Sequence, residues 1–404
     1  MAGPLEGIVI LDWTQFQMGP VATSMLADLG ANVIHIEDRI RGDGGRGMTT
    51  IGGTKSLSHG KAAYFEIFNR GKKSLTLDLR QEKGKEAVYR LTKKADVFVH
   101  NYRQGVPERL GLGYETLRQY NPKLIYIAGS GYGPEGPEAM EPAFDPMGLA
   151  RSGIMTQAGE PDMPPQKIER GISDQMGGVV MGYGILVALL AREWQGVGQK
   201  VDVSQISAMM CLQASAVGLR LYTGAELART SRKKAANPLW NYYPCQDGKW
   251  LMLAMLQSDR YWPTMCKALG MEHLEKVPKF EDMGKRQENC EELISIMDEI
   301  FLTKSASEWV KVLRGTGDTI CTPIQSTSDL LTDPQVLAND YIIDTNHKVL
   351  GPVKVANFPI QFSETPAEVK CEAPEFSEHT EEVLIEIGGY SWEEIAQLRD
   401  EEVL

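Results

Sequence analysis

The sequence predicts an α/β protein, with a large domain on a parallel sheet and a smaller α+β domain. Short, apolar, β-branched segments alternate with helical ones from the N-terminus, which is typical of β-α-β units. Near residue 228 the pattern changes to aromatic segments with an Asp-Gly turn, followed by short helices. Strand-like segments return after about residue 325. We therefore expect 1–227 to be the N-terminal part of the large domain, 228–325 the small domain, and 326–404 a segment that returns to the large domain.

The elements of the large domain are expected in the following order. Residues 7–13 form a strand, 20–29 a helix that ends at Gly30, and 32–37 a second strand. Further strands are expected at 75–79, 96–100, 124–128 and 200–203, and helices at 81–94, from 173 or 174 to about 194, and from Ser204 to about 221. Later elements are strands within 237–253, short helices within 257–314, strands within 353–362 and an amphipathic helix from Ser391.

Composition narrows the possible partners. The 404 residues are 42% hydrophobic, enough for a large core. With 42 basic and 54 acidic residues the net charge is −12, which argues against nucleic acid and anionic membranes. The N-terminus lacks a signal pattern, and the apolar stretch 179–191 is glycine-interrupted and too short to span a bilayer. The six cysteines contain no C-x-x-C pair and the histidines show no metal spacing, so we expect a soluble cytoplasmic protein without a metal site.

The start of the long predicted helix combines a carboxylate with several glycines. Each of Gly177, Gly178, Gly182 and Gly184 costs roughly 1 kcal/mol relative to alanine, which indicates close approach of another helix, a subunit or a ligand. Asp174 stands at the N-terminal end, where unpaired amides and the helix dipole favour an anion by roughly 0.3–1 kcal/mol. Most aspartates at such positions are simple caps, but an ionised carboxylate here is also suited to attack an acyl group.

Polar and basic side chains border the predicted strands. Asn101, Tyr102 and Arg103 follow one strand, Arg39 follows another, and Lys72 precedes a third. Ligands of open α/β sheets bind at the carboxyl ends of the strands, and phosphate groups would suit these side chains. The segment 129–136 superficially matches G-x-G-x-x-G, but its prolines and its place after a later strand argue against a dinucleotide site.

Together these segments resemble the class III CoA-transferases, which include formyl-CoA and carnitine CoA-transferases. The similarity runs through 4–12, 19–34, 69–79, 95–105, 131–133, 174–204 and 378–384, with 196–204 the most characteristic part. It implies a Rossmann-like large domain, a smaller α+β domain and a homodimer of two interlocked rings. The site then lies between one chain's large domain and the other chain's small domain. Coenzyme A and acyl-CoA are substrates, and no tightly bound cofactor is implied.

The resemblance also assigns residues. Asp174 takes the position of the nucleophile, which attacks an acyl-CoA to give a mixed anhydride and then an aspartyl-CoA thioester. Gln17 lies where the family has a glutamine near the acyl group, and Asp145 where it has a second acidic residue. The positions that contact CoA in the family correspond here to Lys72, Asn101, Tyr102, Arg103 and Arg109, and Arg39 or Arg41 substitutes for an arginine that is replaced by Asp38.

Two departures concern the acid substrate. The glycine-rich loop that covers the formyl-CoA transferase site is missing, and 231–238 stands in roughly that region. This argues against formyl or oxalyl substrates, so we expect an acid larger than formate. The aromatic and apolar residues available for an acyl pocket are Phe16, Met18, Phe144, Trp240, Tyr242 and Tyr243.

Three alternative functions remain to be compared with the transferase. Alpha-methylacyl-CoA racemases share the fold but use a histidine base in a Gly-His-Asp motif. This chain has Ala143-Phe144-Asp145, and phenylalanine cannot move a proton, so the transferase is favoured. A heteromer with a related chain is the second alternative, in which Asp174 would mark the catalytic member. A dinucleotide-dependent redox enzyme is the third, and its first loop would need more glycines.

Overall fold

A computed structural model describes residues 3–51, 54–55, 57–168 and 171–404. The chain forms two compact units. The first contains Met1–Met155, Lys167–Ala225 and Asp340–Leu404, and the second contains Thr156–Gln166 and Glu226–Asn339. The short stretch Thr156–Gln166 therefore belongs with the second unit, although the sequence analysis included it in the N-terminal part of the large domain, 1–227.

The strands of the described chain follow in order. They are β1 (Val9–Trp13), β2 (Asn32–Asp38), β3 (Thr50–Ile51), β4 (Thr54–Lys55), β5 (Lys73–Leu77), β6 (Val97–His100), β7 (Ile125–Ser130), β8 (Gln199–Ser204), β9 (Tyr242–Pro244), β10 (Trp250–Leu253), β11 (Cys321–Ile324), β12 (Ile342–His347) and β13 (Gly351–Ala356).

The helices of the described chain alternate with these strands in the first unit. They are α1 (Met18–Asp28), α2 (Ala63–Asn69), α3 (Glu82–Thr92), α4 (Val106–Arg109), α5 (Tyr114–Tyr120), α6 (Asp145–Arg151), α7 (Ile172–Gln195), α8 (Gln205–Leu212), α9 (Ala214–Thr223), α10 (Ser258–Leu269), α11 (Met283–Glu288), α12 (Cys290–Phe301), α13 (Ala306–Thr316), α14 (Pro334–Ala338), α15 (Thr380–Glu386) and α16 (Trp392–Asp400).

The first unit is built on a six-stranded parallel sheet in the order β5-β2-β1-β6-β7-β8. The predicted α/β class with a parallel sheet is therefore confirmed. The chain moves outward from β1 through β2 to β5, and then returns to the other side of β1 with β6. This reversal leaves a crevice at the carboxyl ends of β1 and β6, where α/β sheets usually bind ligands.

Each face of this sheet is covered by helices. On one face α1 and α7 bury residues such as Leu26, Met181 and Ile185 against Ile10 and Val99 of the sheet. On the other face α3, α5, α15 and α16 form a second apolar core with the same strands. Strands buried on both faces explain why β1, β6 and β7 are apolar almost throughout rather than alternating.

The glycines of α7 allow α1 to approach closely. A Cβ on Gly177 would lie 2.9 Å from Met18 Cε, and one on Gly178 would lie 2.6 Å from Val21 Cγ1. Around Gly182 nothing lies nearer than 3.9 Å, so that glycine is not required by this contact. The sequence left open whether another helix, a subunit or a ligand approaches these glycines. For Gly177 and Gly178 it is a helix of the same unit, α1.

Helix α7 has 24 residues, and by length and composition alone it could cross a membrane. The stretch 179–191, which looked too short for that, is thus part of a longer helix. One face of this helix packs on α1 and the sheet.

A second difference from the sequence expectation concerns the helix after β8. Ser204 caps it as predicted, with Oγ accepting from the Ser207 amide at 3.0 Å. The helix does not continue to residue 221, because it breaks at Gln213 into α8 and α9.

The second unit has its own core. Its sheet has the antiparallel order β11-β10-β9, and α10, α12 and α13 pack around buried residues such as Tyr243, Trp262, Phe301 and Trp309. The segment 231–238 is anchored by Arg232, whose guanidinium binds both carboxylate oxygens of Asp298 at 2.9 and 2.7 Å.

Candidate functional site

A cavity of about 380 Å³ opens at the carboxyl ends of β1, β6, β7 and β8 in the first unit. It therefore occupies the crevice that the strand order creates. Its lining residues are Gln15, Phe16, Gln17, Met18, Asn101, Tyr102, Arg103, Gln104, Val106, Arg109, Gly129, Ser130, Gly131, Ala139, Glu141, Ala143, Phe144, Asp174 and Gln205.

Asp174 lies in the first turn of α7 and reaches the cavity. Its Oδ1 accepts a hydrogen bond of 2.6 Å from Nε2 of Gln205. No residue in the described part of the chain donates a hydrogen bond to Oδ2. One carboxylate oxygen is thus held in place while the other is available to a ligand.

Asp145 lies behind Asp174 rather than in the cavity. Its carboxylate accepts from the amides of Gly171 at 3.0 Å, Ser173 at 2.8 Å and Asp174 at 3.3 Å. These are amides at the start of α7, so Asp145 caps the helix from a neighbouring element. The sequence grouped Asp145 with the catalytic residues, and this geometry gives it the role of positioning the helix start.

The amides of Gly171, Ser173 and Asp174 at the helix start donate to Asp145 and not to Asp174, so the stabilisation of ionised Asp174 by the helix start stays a prediction. Burial raises the pKa of Asp174 to about 6, the hydrogen bond from Gln205 opposes this rise, and the charge of Asp145 adds to it. At neutral pH the carboxylate is therefore mostly ionised but poorly stabilised, which suits a nucleophile.

Gln17 connects the loop after β1 to the start of α7. Its Nε2 donates to the carbonyl of Gly171 at 3.0 Å, and its side chain also lines the cavity. Gly171 has φ of 75°, and a Cβ there would lie 2.5 Å from the Gln17 side-chain oxygen. Glycine is required at this position by both the backbone conformation and the close approach of Gln17.

Four of the residues assigned to CoA meet in the cavity. Asn101 clamps the loop after β1, since its Oδ1 accepts from Gln15 N at 2.9 Å and its Nδ2 donates to Gln15 O at 2.8 Å. Tyr102 stacks on Trp13 with ring centroids 4.1 Å apart. Arg103 and Arg109 are exposed at the cavity, and neither forms a salt bridge within the described residues. Two uncompensated guanidinium groups here favour an anionic ligand.

The remaining two assigned residues lie elsewhere. The ammonium group of Lys72 is completely buried and binds Asp12 Oδ2 and Asn69 Oδ1, both at 2.8 Å. Arg39 contacts the backbone oxygen and the carboxylate of Glu402 near the C-terminus. Neither side chain reaches the cavity in this chain, so their contact with CoA stays a prediction.

Of the aromatic and apolar residues available for an acyl pocket, some line the cavity and others lie elsewhere. Phe16, Met18 and Phe144 line the cavity, and the rings of Phe16 and Phe144 meet edge to face with centroids 5.9 Å apart. Phe16 has φ of 63°, which is unusual for a residue with a side chain. Its amide donates to Asp43 Oδ1 at 3.0 Å, which holds the turn. Tyr243 belongs to the core of the second unit instead of an acyl pocket.

Gln205 is the site residue that the sequence reasoning missed. It directly follows β8, at the same sheet edge as the loop after β6. The signal was present, since polar residues after parallel strands were already the criterion for Asn101. Among the described residues, no group of three or more His, Cys, Asp or Glu is arranged to hold a metal ion.

Comparison with known proteins gives a consistent result. A model of CoA-transferase family III matches residues 5–380. The chain is 32% identical to an acyl-CoA transferase of Fusarium pseudograminearum, over 100% of this chain and 88% of that protein. It is 31% identical to (R)-2-hydroxy-4-methylpentanoate CoA-transferase of Clostridioides difficile, over 99% of each. A CAIB/BAIF family protein from Brucella suis has a similar structure, with a TM-score of 0.84 and 29% identity over 96% of this chain and 100% of that one.

Proposed function

The chain belongs to CoA-transferase family III and is a CoA-transferase, and from this we propose that it moves CoA between two carboxylic acids through covalent adducts on Asp174. The observation that carries the mechanism is the asymmetry of the Asp174 carboxylate. Oδ1 accepts a hydrogen bond from Gln205, and Oδ2 accepts none from the described residues. The same cavity exposes Arg103 and Arg109, which form no salt bridge within the described residues.

The first half of the reaction transfers CoA to the enzyme. Asp174 attacks the thioester carbonyl of the donor, the C–S bond breaks, and a mixed anhydride and CoA thiolate result. The thiolate then attacks the aspartyl carbonyl and releases the donor acid, which leaves an aspartyl-CoA thioester. The acceptor acid reverses these steps. Each intermediate keeps an activated acyl group, so no step has to form a thioester from an unactivated acid.

The side chains around the cavity fit this substrate. Arg103 and Arg109 are suited to the phosphates of CoA, which enters as a substrate rather than as a bound cofactor. Phe16, Met18 and Phe144 supply an apolar wall for the acyl group. We propose an acid larger than formate, and the (R)-2-hydroxy-4-methylpentanoate of the Clostridioides relative is one acid to include in a screen.

A homodimer completes the proposal. Helix α7 exposes an apolar face in the single chain, with Tyr183 at 70% and Trp194 at 75% exposure and Val187 and Leu190 nearly half exposed. An apolar surface of this kind usually marks a protein interface. Val187→Glu should shift the protein towards monomer in light-scattering measurements, whereas Glu193→Gln on the same helix should not. We further propose a cytoplasmic location, where acyl-CoA substrates are available.

The mechanism is tested with Asp174→Ala and a panel of acyl-CoA donors and acids. We expect transfer to be lost in Asp174→Ala and retained in Gln175→Ala, which changes the adjacent exposed residue. Mass spectrometry after incubation with acyl-CoA and hydroxylamine should place the modification on Asp174. Turnover of Asp174→Ala near the wild-type rate would contradict the mechanism.

A further inference from the structure

We propose that Gln205 is a catalytic residue that stabilises the negative charge formed on Oδ1 of Asp174 whenever the aspartyl carbonyl itself is attacked. This inference rests on the proposed function, because it concerns the two steps in which Asp174 is the acyl group. It also assigns the two oxygens: Oδ2 makes the bond to the donor acyl group, and Oδ1 remains the carbonyl oxygen of both adducts.

Gln205 is held firmly enough for this role. It is the first residue of α8, only 4% of it is exposed, and the capping box of Ser204 and Ser207 fixes the turn that carries it. The amide of the next residue, Ile206, donates to the carbonyl of Gly131 at the end of the neighbouring strand at 3.3 Å. A Cβ on Gly148 would lie 2.8 Å from the Gln205 Cβ, so this side is closely packed. The amide therefore meets Oδ1 in a fixed direction, as transition-state stabilisation requires.

The hydrogen bonds of Gln205 point to function rather than to support of the fold. Its Nε2 donates to Asp174 Oδ1 at 2.6 Å, while its own carbonyl oxygen is buried and has no partner among the described residues. A buried carbonyl without a hydrogen-bond partner lowers the stability of the fold, which a purely structural glutamine would avoid. Because an ionised carboxylate can only accept, the nitrogen end of the amide must face Oδ1.

The chemistry explains why a donor is needed there. When the CoA thiolate attacks the mixed anhydride, a C–S bond forms at Cγ of Asp174 and the π electrons of its carbonyl move onto Oδ1. They return as the bond to the donor carboxylate breaks. Attack by the acceptor acid on the aspartyl-CoA thioester places the same charge on Oδ1, and the thiolate leaves. Gln205 lies within hydrogen-bond distance of that oxygen before either step begins.

The first attack is different. When Asp174 attacks the donor thioester, negative charge forms on the carbonyl oxygen of the donor and leaves the carboxylate of Asp174. Gln205 has no new charge to stabilise in that step. Loss of its amide should therefore slow release of the donor acid much more than formation of the anhydride. The loss of one such donor typically costs about 10²–10³ in rate.

The experiment is a single turnover of the full-length enzyme with an acyl-CoA labelled in its acyl group, quenched at short times. Label attached to protein reports the anhydride, and free labelled acid reports the next step. In Gln205→Leu we expect attachment within about threefold of wild type, acid release slower by about 10²–10³, and accumulation of labelled protein. Measurement at pH 8 keeps Asp174 ionised in both proteins.

The control is Gln213→Leu, which removes another buried glutamine just beyond α8 whose Nε2 donates to the carbonyl of Met209. It should leave both rates near wild type. Equal slowing of attachment and release in Gln205→Leu, or no slowing of either, would overturn the role of Gln205. Failure of the proposed mechanism looks different, because Asp174→Ala would then still release labelled acid.

Discussion

Two aspartates of the first unit show how differently the fold treats a carboxylate. Asp12 at the end of β1 receives Lys72 at 2.8 Å, His35 at 3.1 Å and the hydroxyl of Thr23 at 2.8 Å. Burial alone would raise its pKa, but the charges and hydrogen bonds of Lys72 and His35 outweigh burial and hold that pKa well below its usual range. Asp174 is also largely buried, receives one neutral donor, and has its pKa raised to about 6.

The difference separates a buried carboxylate that stabilises the fold from one that is available to react. A carboxylate such as that of Asp12, held by two cations and two hydroxyl groups, is a poor nucleophile, and one with an unbound oxygen and a raised pKa is a better one. The Asp12 group continues through His35, whose Nε2 lies 3.3 Å from Asp43 Oδ2, to the turn at Phe16. Despite burial, the charge of Asp12 raises the pKa of His35 to about 9, so this network stays charged at neutral pH.

The largest expected effect is on the Asp12 network. Lys72→Met should lower the free energy of unfolding by about 3–5 kcal/mol, because it removes one of the two cations that hold a buried carboxylate. Lys73→Met is the matched control, since Lys73 pairs with Glu382 at the surface and such pairs contribute about 0–1 kcal/mol. Urea unfolding of the two variants measures this. Equal losses would mean that the two regions do not differ as described.

The next effect has the opposite sign. In wild type, ionising Asp174 costs stability, because its pKa of about 6 in the fold lies above its ordinary 3.8. This cost is absent below about pH 4, grows between about pH 4 and 6, and is constant above. Asp174→Asn should therefore be more stable by about 1–3 kcal/mol at pH 8, and the gain should vanish near pH 4. A gain of the same size at both pH values would contradict the assignment to ionisation.

The smallest expected effect concerns the charge of Asp145. The value of kcat/KM should rise as Asp174 ionises near pH 6. Asp145 raises that pKa, so Asp145→Asn should move the acidic limb of the profile to lower pH, by less than about one unit. Glu193→Gln, near the opposite end of α7, should leave it in place. A shift to higher pH in Asp145→Asn would show that loss of the helix cap matters more than loss of charge.

The parallel sheet was predictable from the sequence because its strands are continuous apolar runs separated by amphipathic helices. Asp174 was identified by the family resemblance, since many helices begin with aspartate. Lys72 shows the limit of local reasoning, because its partner Asp12 lies 60 positions away and nothing near Lys72 indicates burial. Asp145 was also assigned by the family resemblance, but its bonds to the α7 amides depend on how α6 meets α7. Gln205 is likewise a neighbour of Asp174 only in space.

The contact between α1 and α7 has a consequence for altering the acid preference. The loop that lines the cavity ends at Gln17, and the next residue, Met18, already presses on Gly177 of the helix that carries Asp174. The wall of the proposed acyl pocket and the start of the helix that carries Asp174 therefore pack directly against each other. A loop grafted from a relative should be transferred together with the residues that the relative has at positions 18, 21, 177 and 178, because otherwise the new loop would displace Asp174 from the cavity.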